Sequence, residues 1–193
     1  MLTSHDRWIL LFLVFAVLTG PSAVMAQFVE EEIVIRVGDG YCLLEGTYKF
    51  RNPEGQPALW PVFYPLLDTD AIPLADSIRV RDARTGEEIP IDKVVEGIRF
   101  AVTLPSHGSR VLRITYRQDT PHDSMEYILL STKEWQRPLD RAFFRIVMPD
   151  SFSLRTISIP FDSATHKRGS WFYLIHEKRF MPKCNLAFSW QRR

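Results

Sequence analysis

Two cysteines, Cys42 and Cys184, are the side chains of this 193-residue sequence able to cross-link it covalently. Cys42 falls on the apolar side of an early alternating segment, and Cys184 stands just ahead of the last one. In a chain that matures outside the cytoplasm such a pair can persist as a disulfide. A Cys42–Cys184 bridge and two separate thiols both fit the sequence, because facing geometry decides between them. Neither cysteine lies in a Cys-x-x-Cys pair or a nucleophile-type context, so a catalytic cysteine is not expected. His107, His122, His166 and His176 are widely spaced, with no His-Glu-x-x-His and no His-x-His. A metal site needs three or four converging ligands, so neither metal nor cofactor is expected. The sequence also lacks Gly-x-Ser-x-Gly, a Walker loop and Gly-x-Gly-x-x-Gly. The expectation is a protein that is not an enzyme. The alternative is a hydrolase whose Asp, Glu and His residues converge from distant segments.

Aromatic side chains offer binding rather than catalysis. Trp190 alternates with Phe188 and Leu186 and reads as core. Trp135 lies in the turn-like stretch Thr132–Pro138 next to Arg137, and Trp171 follows the polar segment Thr165–Ser170. Trp135, Arg137 and Trp171 are therefore the candidate contact residues, for stacking on a sugar face or anchoring a protein interface. The competing reading makes Trp135 a lid folded over one end of the core. Lys167-Arg168, Lys178-Arg179 and Arg192-Arg193 make the C-terminal third locally basic, and Glu30-Glu31-Glu32 offsets them. With 24 Lys and Arg against 23 Asp and Glu, the net charge is +1, and nucleic acid is not an expected partner.

The segments that carry these residues alternate with a period of two. Cys42, Leu44, Gly46, Tyr48 and Phe50 share one side of 41–51. Ile98, Phe100, Val102 and Leu104 do the same, as do Leu112, Ile114 and Tyr116, then Ala142, Phe144, Ile146 and Met148. Successive side chains point to opposite faces of a strand, so each segment is a strand with one buried face. Gly38-Asp39-Gly40 has the composition of a tight hairpin turn. Ser131-x-x-Glu134 has the spacing of a capping box opening a single helical turn before Pro138. Ten or eleven short strands separated by turn residues predict an all-β fold, a two-sheet antiparallel β-sandwich, immunoglobulin-like or related.

Residues 1–26 read as an address. Arg7 precedes an apolar run from Ile9 to Leu18, Gly20-Pro21 breaks any helix, and Val24-Met25-Ala26 suits a cleavage site. This is the layout of a secretory signal peptide cut before Gln27. An apolar run of ten residues is about 15 Å long as a helix, half a bilayer core. Residues 27–193 are then one domain, and membrane attachment requires the segment to stay uncleaved.

Phe50-Arg51-Asn52, Phe63-Tyr64-Pro65, Thr85-Gly86 and the run Tyr127 to Thr132, followed by Trp135, Pro138, Phe144 and Pro149, carry a resemblance over most of residues 28–190. The pattern resembles exported bacterial β-sandwich domains of unknown function. It is also similar to the N-terminal β-sandwich of gluzincin aminopeptidases. The resemblance implies a sandwich fold and export; the zinc motif is missing, so peptidase activity does not carry over. The expected function is a binding or accessory component of the periplasm or cell surface, with an envelope protein or a surface glycan as partner. A carbohydrate-binding module using exposed tryptophans is the alternative within binding.

Overall fold

Period-two alternation builds most of the molecule. The computed structural model describes residues 26–69 and 72–193; the stretch 1–25, which holds nearly all of the signal-peptide reading, lies outside the described residues. The strands are β1 (Gln27–Val37), β2 (Tyr41–Arg51), β3 (Ala58–Pro65), β4 (Asp76–Asp82), β5 (Asp92–Val94), β6 (Gly97–Leu104) and β7 (Ser109–Asp119). They continue as β8 (Ser124–Tyr127), β9 (Leu139–Pro149), β10 (Phe152–Ile157), β11 (Ser163–Lys167), β12 (Ser170–Phe180) and β13 (Leu186–Arg192). A 3-10 turn, Leu130–Trp135, separates β8 from β9. No helix among the described residues is long and apolar enough to cross a membrane.

The strands form a seven-stranded sheet in the order β11-β12-β9-β1-β2-β7-β4 and two three-stranded sheets, β10-β13-β8 and β3-β6-β5. The all-β sandwich expected from the alternation is thus observed, with its second layer divided in two. Phe144, Ile33, Leu44 and Leu112 from the large sheet share one buried core with Leu186 and Trp190 from one small sheet and Ile98 and Leu104 from the other. Each such side chain withdrawn from water stabilises the fold by about 1.5–3 kcal/mol. Neighbours pair antiparallel except β1 and β9, which run parallel from Glu30 opposite Arg141 to Arg36 opposite Val147. Two strands escape the alternation, β5 and β11. The residues of β11 are all exposed, so an edge strand of this kind has no buried face to mark it.

The Cys42–Cys184 bridge is not formed: both are free thiols. Cys42 lies wholly buried on β2, opposite Val37. Cys184 precedes β13, with its Sγ 4.0 Å from the Ser158 carbonyl. The far end of β13 is the end near Cys42, because Arg192 pairs with Asp39 in the β1–β2 hairpin. The length of β13, about 20 Å, therefore separates two groups whose Cα atoms would need to approach within about 7 Å. Burial also pushes the Cys42 thiol up, so it stays protonated and inert. A thiol reagent should modify Cys184 alone in the native protein and both cysteines after denaturation, with identical electrophoretic mobility under reducing and non-reducing conditions. A mobility shift on reduction would restore the bridge.

Candidate functional site

The parity of β1 places an acid in the core. Ile33, Ile35 and Val37 are buried, so Glu31, two residues earlier, must point the same way, and it is only 4% exposed. Glu30 and Glu32 face the other side. A β-bulge between Phe28 and Glu30 adds one residue and turns Phe28 inward as well. Phe28 and Glu31 thus enter the core together at the start of β1.

Three tyrosines from three strands form a hydroxyl chain that ends on Glu31. The Tyr127 hydroxyl on β8 donates to Glu31 Oε2 at 3.3 Å. Tyr48 on β2 lies 3.0 Å from Tyr127, and Tyr64 on β3 lies 2.7 Å from Tyr48, oxygen to oxygen. A phenol has one proton, and that of Tyr127 is committed to Glu31. With Tyr127 donating to Glu31, the order in which Tyr48 donates to Tyr127 and Tyr64 to Tyr48 runs the protons of the chain toward the acid, although either oxygen of each tyrosine pair can be the donor. Burial raises the ionisation of all three phenols well above the usual range and keeps them protonated. Glu31 Oε1, in contrast, has no partner at all. Burial, opposed by the Tyr127 hydroxyl, pushes the Glu31 carboxyl up to about 8, so it is a neutral acid at pH 7.

Glu31, Tyr48, Tyr64 and Tyr127 line a cavity of about 50 Å³ together with Phe28, Phe50 and Trp135. Phe63, Pro65, Ile128 and Ser131 complete its wall and bring it to the surface. The 3-10 turn holds Trp135 over it. The backbone N–H groups of Leu129 and Leu130 both donate to Asn185 Oδ1 at 3.0 Å, and Asn185 Nδ2 donates to Glu126 Oε1 at 2.7 Å. The turn forms without the expected capping box, since its N-cap is Leu129 and no side chain caps it. It stops at Gln136, which is left-handed at φ 52° and donates its N–H to the Lys133 carbonyl. The Trp135 ring centre is 5.9 Å from Phe28, 5.7 Å from Phe50 and 6.1 Å from Trp60, and the side chain is half-buried.

Arg137 sits at the same end, donating to Gln27 Oε1 at 2.6 Å and pairing with Asp140 at 2.9 Å. Trp171 does not join them. It lies opposite Met148, at the other end of β9 from Leu139, with its ring 5.2 Å from His166 and 6.4 Å from Tyr173. The fold therefore brings together Trp135 and Arg137 and separates Trp171 by most of a strand. Glu31 was missed by sequence reasoning, although its spacing from Ile33, Ile35 and Val37 was the signal that could have found it.

The opposite face of the seven-stranded sheet carries a wider groove of about 540 Å³. Within it Glu30 accepts from Lys49 at 3.1 Å and Arg141 at 2.6 Å, and the Phe143 ring centre lies 4.5 Å from His176. No group of three or more His, Cys, Asp or Glu among the described residues gathers as metal ligands would.

No family profile and no curated protein matches the chain. Solved structures do. A "putative nutrient binding protein" of Legionella pneumophila aligns with a TM-score of 0.69 at 11% identity, over 86% of this chain and 67% of that one. An M1 zinc metallopeptidase of Deinococcus radiodurans aligns with a TM-score of 0.53 at 14% identity, over 86% of this chain. The chain spans only 42% of that peptidase's length. At such identities the likeness is one of fold, and in fold it bears out the resemblance to the aminopeptidase sandwich.

The Glu31 acid gives stability a specific pH dependence. Its folded value, about 8, lies above its ordinary 4.5. Between those values the folded state holds a proton that the unfolded chain has released, so this group's contribution to stability falls as pH rises and levels off above about 8. Glu31→Gln is uncharged throughout and lacks that slope. Urea midpoints at about pH 5, 7 and 9 should therefore converge on those of Glu31→Gln at the acid end and drop below them at the alkaline end. Parallel profiles would mean that Glu31 is ionised inside the fold.

Proposed function

We propose that this chain is an exported, non-enzymatic β-sandwich protein, a binding or accessory component of the periplasm or cell surface. Its partner is an envelope protein or a surface glycan, engaged at the Trp135 end of the sandwich. One observation carries the reading: the Glu31 carboxyl is buried with an unpartnered oxygen, and Glu31 is among the residues lining a cavity that reaches the surface. An unsatisfied buried polar atom costs about 1–3 kcal/mol, an expense that a ligand would offset. Trp135, which lines that opening, supplies the aromatic anchor common to binding surfaces, and Arg137, two residues on and paired with Asp140, is a polar contact outside the cavity. The binding role given to the Legionella protein by its name agrees with this reading. For the glycan partner, Trp171 offers a second contact, with its ring only 21° from the plane of Tyr173.

Export is tested by expressing the full sequence in a bacterial host and sequencing the N-terminus of the recovered protein. The chain in the periplasmic fraction should begin at Gln27; a membrane-held chain retaining residues 1–26 would overturn export. Binding is tested by recording amide and indole NMR resonances while adding purified envelope glycans and a digest of envelope proteins. Shifts at Ser131, Thr132 and the Trp135 indole support the reading, and their weakening in Trp135→Ala assigns the contact. If neither class of partner moves these resonances, the reading fails.

A further inference from the structure

We propose that the pocket beneath Trp135 receives the primary alkylammonium head of its ligand, with Glu31 as counter-charge. The inference rests on the binding reading above and gives its ligand a chemical class.

Donor and acceptor accounting comes first. In the proton order that ends on Glu31 Oε2, the protons of Tyr64, Tyr48 and Tyr127 are all used within the chain. Once Glu31 has released its own proton, what the pocket has left is lone pairs, on the phenol oxygens and on Glu31 Oε1, which no hydrogen bond holds. A ligand complementary to that ionised state donates. None of the cavity-lining residues is Lys, Arg or His, so nothing there favours an anion, whereas a carboxyl group faces aromatic walls from Phe28, Phe50, Tyr48, Tyr64 and Trp135. A carboxylate in a cavity lined by aromatic side chains suits a cation, chiefly through the ion pair.

Shape narrows the cation. One water needs about 10–15 Å³ of such volume, so a cavity of about 50 Å³ holds a few non-hydrogen atoms and is too small for a sugar ring. A guanidinium binds best through both oxygens of a carboxylate, and Oε2 is already taken by Tyr127. A quaternary ammonium has no N–H to offer the oxygens. A primary ammonium has three N–H donors, and its methylene stem can pass between Pro65, Ile128 and Phe63 at the rim.

Proton balance follows. At neutral pH the acid enters as Glu31–COOH, and on binding it becomes the carboxylate facing R–NH3+, releasing one proton to solvent. The groups facing Glu31 are Tyr127 from β8, Tyr48 from β2 and, through Tyr48, Tyr64 from β3; all are neutral phenols. From β9 its partner in register is the uncharged Ala142. Glu30, next to it, is held on the outer face by Lys49 and Arg141. Glu31 is thus the group that loses charge neutrality when the cation arrives.

The probe is n-butylamine, added to the full protein and followed by NMR of Ser131, Thr132 and Trp135 and by calorimetry in buffers of different ionisation heat. Butylammonium should bind with release of one proton at about pH 7 and with affinity rising about tenfold per pH unit up to about pH 8. Glu31→Gln, with its fold confirmed by an unchanged spectrum elsewhere, should bind at least about tenfold more weakly. n-Butanol and tetramethylammonium should fail to bind. Equal binding of butanol, or full affinity in Glu31→Gln, would overturn the proposal. Nα-Acetyl-lysine amide separates the sources: binding at least as tight as butylamine assigns a lysine side chain of a polypeptide, and weaker binding assigns a free amine. If another compound moves the same resonances and amines do not, the ligand class falls and the binding reading stands. If nothing moves them, both fall.

Discussion

A strand has two faces, and β1 is not free to choose between them. Ile33, Ile35 and Val37 must be buried to join the centre of the seven-stranded sheet to the core. That requirement carries Glu31 inward with them, at the cost of dehydrating a carboxyl group. The fold answers the cost in two ways. The acid stays protonated, and a tyrosine from the facing layer donates to one of its oxygens. The second oxygen is left without a hydrogen bond, and Glu31 lines the cavity at that end of the core.

The pocket also depends on the division of the second layer. Tyr64 comes from the β3-β6-β5 sheet and Tyr127 from the β10-β13-β8 sheet, and both reach Tyr48 on the large one. The hydroxyl chain thus spans the seam where three sheets meet. Gly97 marks how close β3 and β6 lie there: a Cβ at this position would stand 2.3 Å from the Tyr64 carbonyl oxygen. Asn185 binds the Trp135 turn to the last strand, so the lid is fastened to the smaller sheet rather than hanging free.

Much of this architecture was legible in the residues. The alternating runs at 41–51, 98–104, 110–118 and 142–148 are strands with the predicted faces buried, because burial on one side leaves a period-two imprint. β5 and β11 left none, since an exposed edge strand is defined by its neighbour's backbone and not by its own side chains. The parallel contact of β1 with β9 and the separation of Cys42 from Cys184 depend on register across distant segments, which local spacing does not encode. The end of the molecule holding Trp135 and Arg137 was marked by the turn around them. Trp171 shared their chemistry but not their location. Glu31 was obscured by its neighbours, because three consecutive glutamates read as surface charge until the parity of the following residues is applied to them.

The parallel pairing of β1 with β9 also bears on time. Glu30 and Arg141, bonded across it, are 111 residues apart in the chain. β1 can form its hairpin with β2 early, but its other edge stays unsatisfied until the last third of the polypeptide is present. Contacts of such long sequence separation close slowly, because the loop entropy must be met before the pairing is gained. The seven-stranded sheet is therefore completed late, when β9 closes the open edge of the β1–β2 hairpin.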